Sequence, residues 1–376
     1  MKKVDPLVAN DRTAGTTLQA HPTFAYIGCD TVNPGARKTG NGNGISVYRI
    51  DQTTKAWMPV QVCATLPNPG FLAINRAETR LYASHGDHDR ISSYSIDRQT
   101  GKLTFLNQRP TDGHNSRHLT IDPAGRHVVL NQGKGIAVFP INTDGSLAPY
   151  SDNFMPPQGL RPPRGVNIAP CPHHIVFDPS GRFVVVPDRN LDRIHVYQFN
   201  AASGKLTAHE PPYAASRDWA GPRHIAFHPA GQLAYVINET DSTVTAYHWD
   251  CEHGELQPSQ VIVTTPPSYT GKNSGSEIAV APSGRYVLAS NRGHDSIAVF
   301  SANVADGTLT LAYCDSSLGK KPRFFTFDSS GSLVYAANQS SDAIVFFSID
   351  ANTGKLTPTG QIVETGSPTC IIFGYH

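Results

Sequence analysis

Charge is scarce in this 376-residue sequence: only 16% of residues are Asp, Glu, Lys or Arg, and 31 basic side chains against 30 acidic ones leave a formal +1. With so little net field there is nothing to recruit a polyanion, so neither a nucleic-acid nor a membrane partner is expected. Cysteine is sparse and scattered. Cys29, Cys63, Cys171, Cys251, Cys314 and Cys370 form no C-x-x-C pair, which argues against a zinc site and against a disulfide framework. No apolar run approaches the length of a membrane span. The opening stretch has two lysines but no apolar segment of signal-peptide length, so a reduced, cytoplasmic protein is the expectation. A sustained helical period is also missing almost everywhere, which leaves strands as the alternative.

What the chain does have is 39% hydrophobic residues, 32 glycines and 29 prolines, a composition suited to many short strands and turns. The segments beginning Ser116-Arg117, Pro172-His173, Pro222-Arg223, Gly275-Ser276 and Pro322-Arg323 align with one another. Each reads as a strand, a D-P-x-G-like turn, a strand, an Asn/Asp/Gly turn and a strand, and a fourth strand follows a T-G-K-L-like turn. Their heads, with Pro69 and Pro368, recur every 46 to 56 residues. Four strands at that spacing predict a β-propeller rather than a solenoid. Trp249-Asp250 occurs without counterparts in the other units, so the commonest W-D propeller repeat does not apply. The first unit lacks an innermost strand, and the last consists of one strand, Thr369 to Phe373, before the chain ends. The C-terminal strand should therefore complete the first blade. The expectation is all-β: one seven-bladed propeller domain over 21–376, preceded by a loosely ordered arm over 1–20.

Innermost strands line a propeller's channel. The residue after each head should meet, at one mouth, the residue about sixteen positions later. The first set is Gly70, Arg117, His173, Arg223, Ser276, Arg323 and Thr369. The second is Gly86, Arg189, Glu239, Arg292 and Gln339, with Asp188, Asn238, Asn291 and Asn338 preceding four of these. Strand alternation would turn His118, His174 and His224 away from their predecessors, making them a second tier. A mouth crowded with guanidinium groups suits an anionic small molecule, because Arg grips carboxylate and phosphate through a planar fork. Glu239 among those arginines could act as a base or as an arginine positioner.

Other recurring residues read as structural. Asp178, Pro179 and Gly181 are turn residues, and Asp89, Asp192, Asp295 and Asp342 recur as turn caps. His85, His88 and His294 read as solvated turn residues. The cysteines read as small core residues, except Cys171, which should face the mouth.

C-P-H-H at Cys171–His174, L-D-R-I at Leu191–Ile194, G-P-R-H at Gly221–His224, N-E at Asn238-Glu239 and S-N-R-G at Ser290–Gly293 resemble the seven-bladed-propeller lactonase family. That family holds one type of 6-phosphogluconolactonase and a fungal carboxy-cis,cis-muconate cyclase. The likeness runs from about His21 to the C-terminus. It implies a site around His173, Arg223, Glu239 and Arg292, the same four that the ring positions single out. Cys171 stands where the family commonly has a second histidine, and Asp188-Arg189-Asn190 where it has Asp-Leu-Gly.

The resemblance implies hydrolysis of a sugar lactone, 6-phosphogluconolactone first, without metal or cofactor. Glu239 or His173 would be the base, and Arg223 and Arg292 would hold the oxyanion and the anionic group. Arg117, Arg189, Arg323, His224, Asn291 and Gln339 would extend substrate binding. Cycloisomerisation of a carboxymuconate is the alternative chemistry, and a non-catalytic metabolite- or protein-binding propeller the alternative class.

Overall fold

A computed structural model describes residues 22–32, 39–156 and 168–376; the arm expected over 1–20 lies outside the described residues. The described chain forms seven four-stranded antiparallel sheets and no α-helix. Blade 5 serves as the pattern. Its strands run Pro222–Phe227, Leu233–Asn238, Thr243–Asp250 and Glu255–Val263 from the channel outward. Strand Phe24–Cys29 pairs on one side with Ile45–Ile50 and on the other with the C-terminal strand Pro368–Gly374. The ring thus closes within blade 1, which removes the open edge that a linear sheet would present.

Each blade is covered on both faces by its neighbours, so its second strand is buried throughout rather than on alternate residues. Phe183–Asp188 and Leu233–Asn238 are buried along their whole length. Between them pack Val185, Ile194 and Val196 of blade 4 against Ile225, Ala234 and Val236 of blade 5. This explains why the repeats carry β-branched blocks instead of strict alternation.

The turns behave as their residues dictate. Asp178 accepts hydrogen bonds from the backbone N–H of Ser180, Arg182 and Phe183, pinning the D-P-x-G turn. The recurring aspartates reach further, because Asp192, Asp295 and Asp342 adopt left-handed backbone conformations and fasten the loop that leads into the next blade. Asp192 holds the N–H of Trp219 and Gly221, Asp295 that of Lys321 and Asp342 that of Ser367. In blade 2 the left-handed residue is Asp87 rather than Asp89.

His85 departs from the expected exposure. It ends strand Arg80–His85 instead of lying in the turn, and it is buried, with Nδ1 2.7 Å from Pro67 O and Nε2 2.7 Å from Ser92 Oγ. His88 and His294 are half-buried, and the His294 ring packs 4.5 Å from Tyr269.

Register along the innermost strands decides what the channel presents. In blade 5 Pro222 pairs with Asn238 and His224 with Ile237, leaving Arg223 as an extra residue. The same bulge leaves Gly70, Arg323 and Thr369 without a partner in blades 2, 7 and 1, and blade 6 is irregular between Gly275 and Ile278. A bulge breaks alternation, so two successive residues can face the same side. For His224, which lines the cavity beside Arg223, the expectation of turning away from the mouth is corrected.

Candidate active site at the mouth of the channel

Residues at the heads of the innermost strands and their successors line a small cavity of about 250 Å³, counting the space open to solvent. Its lining draws on all seven blades. Gly70, Arg117, His173, Arg223, Arg323 and Thr369 come from the expected ring; Phe71, His224, Glu277 and Phe324 come from the next position along. Ser276, the seventh ring residue, takes part through its backbone, its carbonyl accepting a 2.7 Å bond from Arg223 Nη1.

Glu239 stands at the centre of an arginine cluster. Its Oε1 is 2.8 Å from Arg189 Nη1, and its Oε2 is 3.1 Å from Arg223 Nε and 3.2 Å from Arg292 Nη2. Burial opposes ionisation of this carboxyl, but Arg292, Arg223 and Arg189 outweigh it and hold the pKa down at about 2. Arg223 is 2% exposed, and burial together with the facing Arg292 and Arg323 pulls its pKa down. Arg117 and Arg323 have no carboxylate partner among the described residues. Three guanidinium groups therefore share one firmly ionised carboxylate, and two more stand at the mouth without one.

Beneath this rim lie stacked imidazoles. His224 lies flat on His174, with centroids 4.2 Å apart and an interplanar angle of 10°, and His118 stands edge-on to His174 at 4.0 Å. The ring of His173 is 5.2 Å from that of His224. Burial first, and then the neighbouring charges and rings, push all four pKa values well below the ordinary histidine value. They are neutral at pH 7, and a neutral imidazole can accept a proton. His173 Nδ1 is buried without a hydrogen-bond partner among the described residues.

The remaining candidates are placed differently. Asn291 is fully buried, and its amide is spent on Thr264, Asn273 and Ser296. Gln339 donates to Asp30 Oδ2 at 2.6 Å across the seam between blades 7 and 1, and neither Asn291 nor Gln339 lines the cavity. Cys171 is buried, its N–H bound by Asp188, and its thiol lies beside Arg117 and Arg189. Burial lifts Asp188 to about 6 against three backbone N–H donors that favour its charge.

Glu277 is the group that the sequence reading passed over. Its signal was present: it occupies the same repeat position as His118, His174 and His224. Its Oε1 lies 2.9 Å from His224 Nδ1 and accepts from Ile278 N at 3.0 Å. Burial drives its pKa up to about 7.

Residues 24–373 match the model of the lactonase family described as a 7-bladed beta-propeller. The chain is 34% identical over 345 residues to the 6-phosphogluconolactonase of Bacillus subtilis strain 168, covering 90% of this chain and 97% of that one. It is 32% identical over 292 residues to the 6-phosphogluconolactonase of Pectobacterium carotovorum, covering 77% and 82%. Among solved structures, a periplasmic gluconolactonase of Pseudomonas aeruginosa superposes with a TM-score of 0.83 at 28% identity, covering 93% of this chain and 98% of that one. No helix among the described residues is long and apolar enough to cross a membrane. With nearly its whole length matched and its ring closed in seven blades, the chain belongs to the seven-bladed β-propeller lactonase family.

Proposed function

We propose that the protein hydrolyses a sugar lactone carrying an anionic group, with 6-phosphogluconolactone as the first substrate. The observation that carries this reading is the imbalance at the mouth, where three guanidinium groups hold one ionised carboxylate and Arg117 and Arg323 stand in the cavity lining without one among the described residues. The names of the relatives point the same way. Opening a lactone needs a water made nucleophilic and an oxyanion held in place. His173, neutral and lining the cavity, takes the water's proton. Glu239 has both oxygens engaged by three arginines and acts as their positioner. Arg223 and Arg292, held by Glu239, face the developing oxyanion, and Arg117 and Arg323 receive the substrate's phosphate.

The test is a substrate panel on the purified protein, with spontaneous hydrolysis subtracted: 6-phosphogluconolactone, glucono-1,5-lactone and 3-carboxy-cis,cis-muconate. The expected result is hydrolysis of both lactones, with kcat/KM for the phosphorylated one higher by about 10- to 100-fold, the value of one charge-assisted contact. Turnover of the muconate alone would replace hydrolysis with cyclisation. No turnover of any of the three by folded protein would remove the enzymatic reading.

A further inference from the structure

Lactone opening needs a second proton transfer, to the leaving ring oxygen. When the ring C–O bond breaks, the departing alkoxide must be protonated; the ionised Glu239 cannot do that, and besides the imidazolium formed at His173 the cavity lining holds one carboxyl group, Glu277. We infer that Glu277 is the general acid of the site, held by His224, and that its Oε2 delivers the proton to the leaving ring oxygen. This inference rests on the lactone-hydrolysis reading and deepens it.

The geometry singles out one oxygen. Glu277 Oε1 is engaged twice, by Ile278 N–H and by His224 Nδ1. Oε2 is buried and has no hydrogen-bond partner among the described residues, although Glu277 lines the cavity and is the one carboxyl group that does. A buried ionised carboxylate oxygen without a donor is far more costly than a neutral carboxylic O–H, which an incoming substrate oxygen then satisfies. His224 is fixed in turn by its stack on His174 and by the edge of Phe71, so the acid is held by packing. The groups facing Glu277 are His224 and Arg223 from blade 5, His174 from blade 4, Arg323 from blade 7 and Cys370 from blade 1. Burial keeps the proton on the carboxyl up to about pH 7, while the arginines and His174 favour its release. An acid poised at that point can both hold and donate a proton at neutral pH.

The step balances. Water gives one proton to His173 and bonds through its oxygen to the carbonyl carbon. The ring C–O bond breaks, and its electron pair stays on the ring oxygen, which takes the proton from Glu277 Oε2. The products are the open hydroxy acid, a His173 imidazolium and a Glu277 carboxylate. Exchange with solvent between turnovers takes the proton from His173 and returns one to Glu277, so both groups are restored.

The experiment compares wild type with Glu277→Gln and Glu277→Asp, each checked for folding by thermal melt. Two readouts are taken: the pH profile of kcat on 6-phosphogluconolactone, and an infrared titration of the protonated carboxyl band without substrate. The inference expects wild-type kcat to fall above about pH 7 as the acid ionises. Glu277→Gln should lose roughly 100-fold or more in kcat with little change in KM, and should lack that alkaline limb. Glu277→Asp keeps a carboxyl and should retain the limb at reduced kcat. The infrared band should disappear on raising the pH through neutrality and be missing in Glu277→Gln. Unchanged kcat and an unchanged alkaline limb in Glu277→Gln would overturn the role of Glu277 and leave the lactonase reading standing. A wild type inactive on lactones removes that reading instead. A Glu277 band already absent at pH 5.5 overturns the acid whichever way the activity falls.

Discussion

At the scale of single residues, two glutamates in one site are driven in opposite directions by their surroundings. Glu239 is held near 2 by three guanidinium groups, so its contribution to stability is present above the ordinary 4.5 and is lost as the pH falls through about 2. Glu277 is raised to about 7 by burial. Between 4.5 and 7 the folded chain keeps a proton on Glu277 that the unfolded chain has released. Stability from this group is therefore fully present below 4.5 and is lost as the pH rises through about 7, a change of about 3 kcal/mol. Glutamine reproduces the protonated form at every pH. In urea melts, Glu277→Gln should match wild type near pH 4 and exceed it by about 3 kcal/mol at pH 8. A constant difference between the two proteins across that range would mean that Glu277 is ionised in the folded protein throughout. A site that gives up stability at working pH in this way is the usual trade where chemistry is done.

At the scale of elements, the bulge or irregularity at the head of five of the seven innermost strands shapes the cavity. It explains which parts of the site were legible in sequence. Arg223, Glu239 and Arg292 could be placed because the repeat gives their phase, and phase alone puts them at one mouth. The inward turn of Glu277 and of His224 could not, although their repeat position was visible, because a one-residue bulge leaves no mark in a hydrophobic pattern and reverses what alternation predicts. Asn291 and Gln339 were legible as mouth residues by position, but their amides serve the joints between strands and blades.

The bulge in blade 6 depends on Gly275. A Cβ there would lie 2.6 Å from Asn238 O and 2.7 Å from Ile237 Cγ1, and the backbone carbonyl has no easy way to retreat. Gly275 O also accepts from Arg292 Nη2 at 2.9 Å. Gly275→Ala should lower stability by about 1–3 kcal/mol in denaturant melts and reduce kcat as Ser276, Glu277 and Arg292 shift together. Wild-type stability and kcat in that variant would show that the register here is not what sets the site.

At the scale of the whole molecule, the architecture was the most legible part, because seven repeats report the same pattern and the missing first strand has its counterpart at the C-terminus. The ring also accounts for the site's electrostatics. No single blade holds more than two of its charged groups. Closing the circle brings arginines from blades 3, 4, 5, 6 and 7 to one opening, against a formal charge of only +1 for the chain as a whole. Composition therefore says nothing of the local field, which is a product of topology.

The account's central claim is that this converged, under-neutralised charge captures an anionic lactone. The most direct measurement is the hydrolysis of 6-phosphogluconolactone by Arg117→Ala and Arg323→Ala, the two cavity arginines without a carboxylate partner among the described residues. Folding should be little affected, because neither change breaks a buried ion pair seen there. The account predicts that KM for the phosphorylated lactone rises about 10- to 100-fold in each, while glucono-1,5-lactone is handled nearly as before. Unchanged KM for the phosphorylated substrate in both variants would contradict it, and would mean that the charge at the mouth serves the ring and not a ligand.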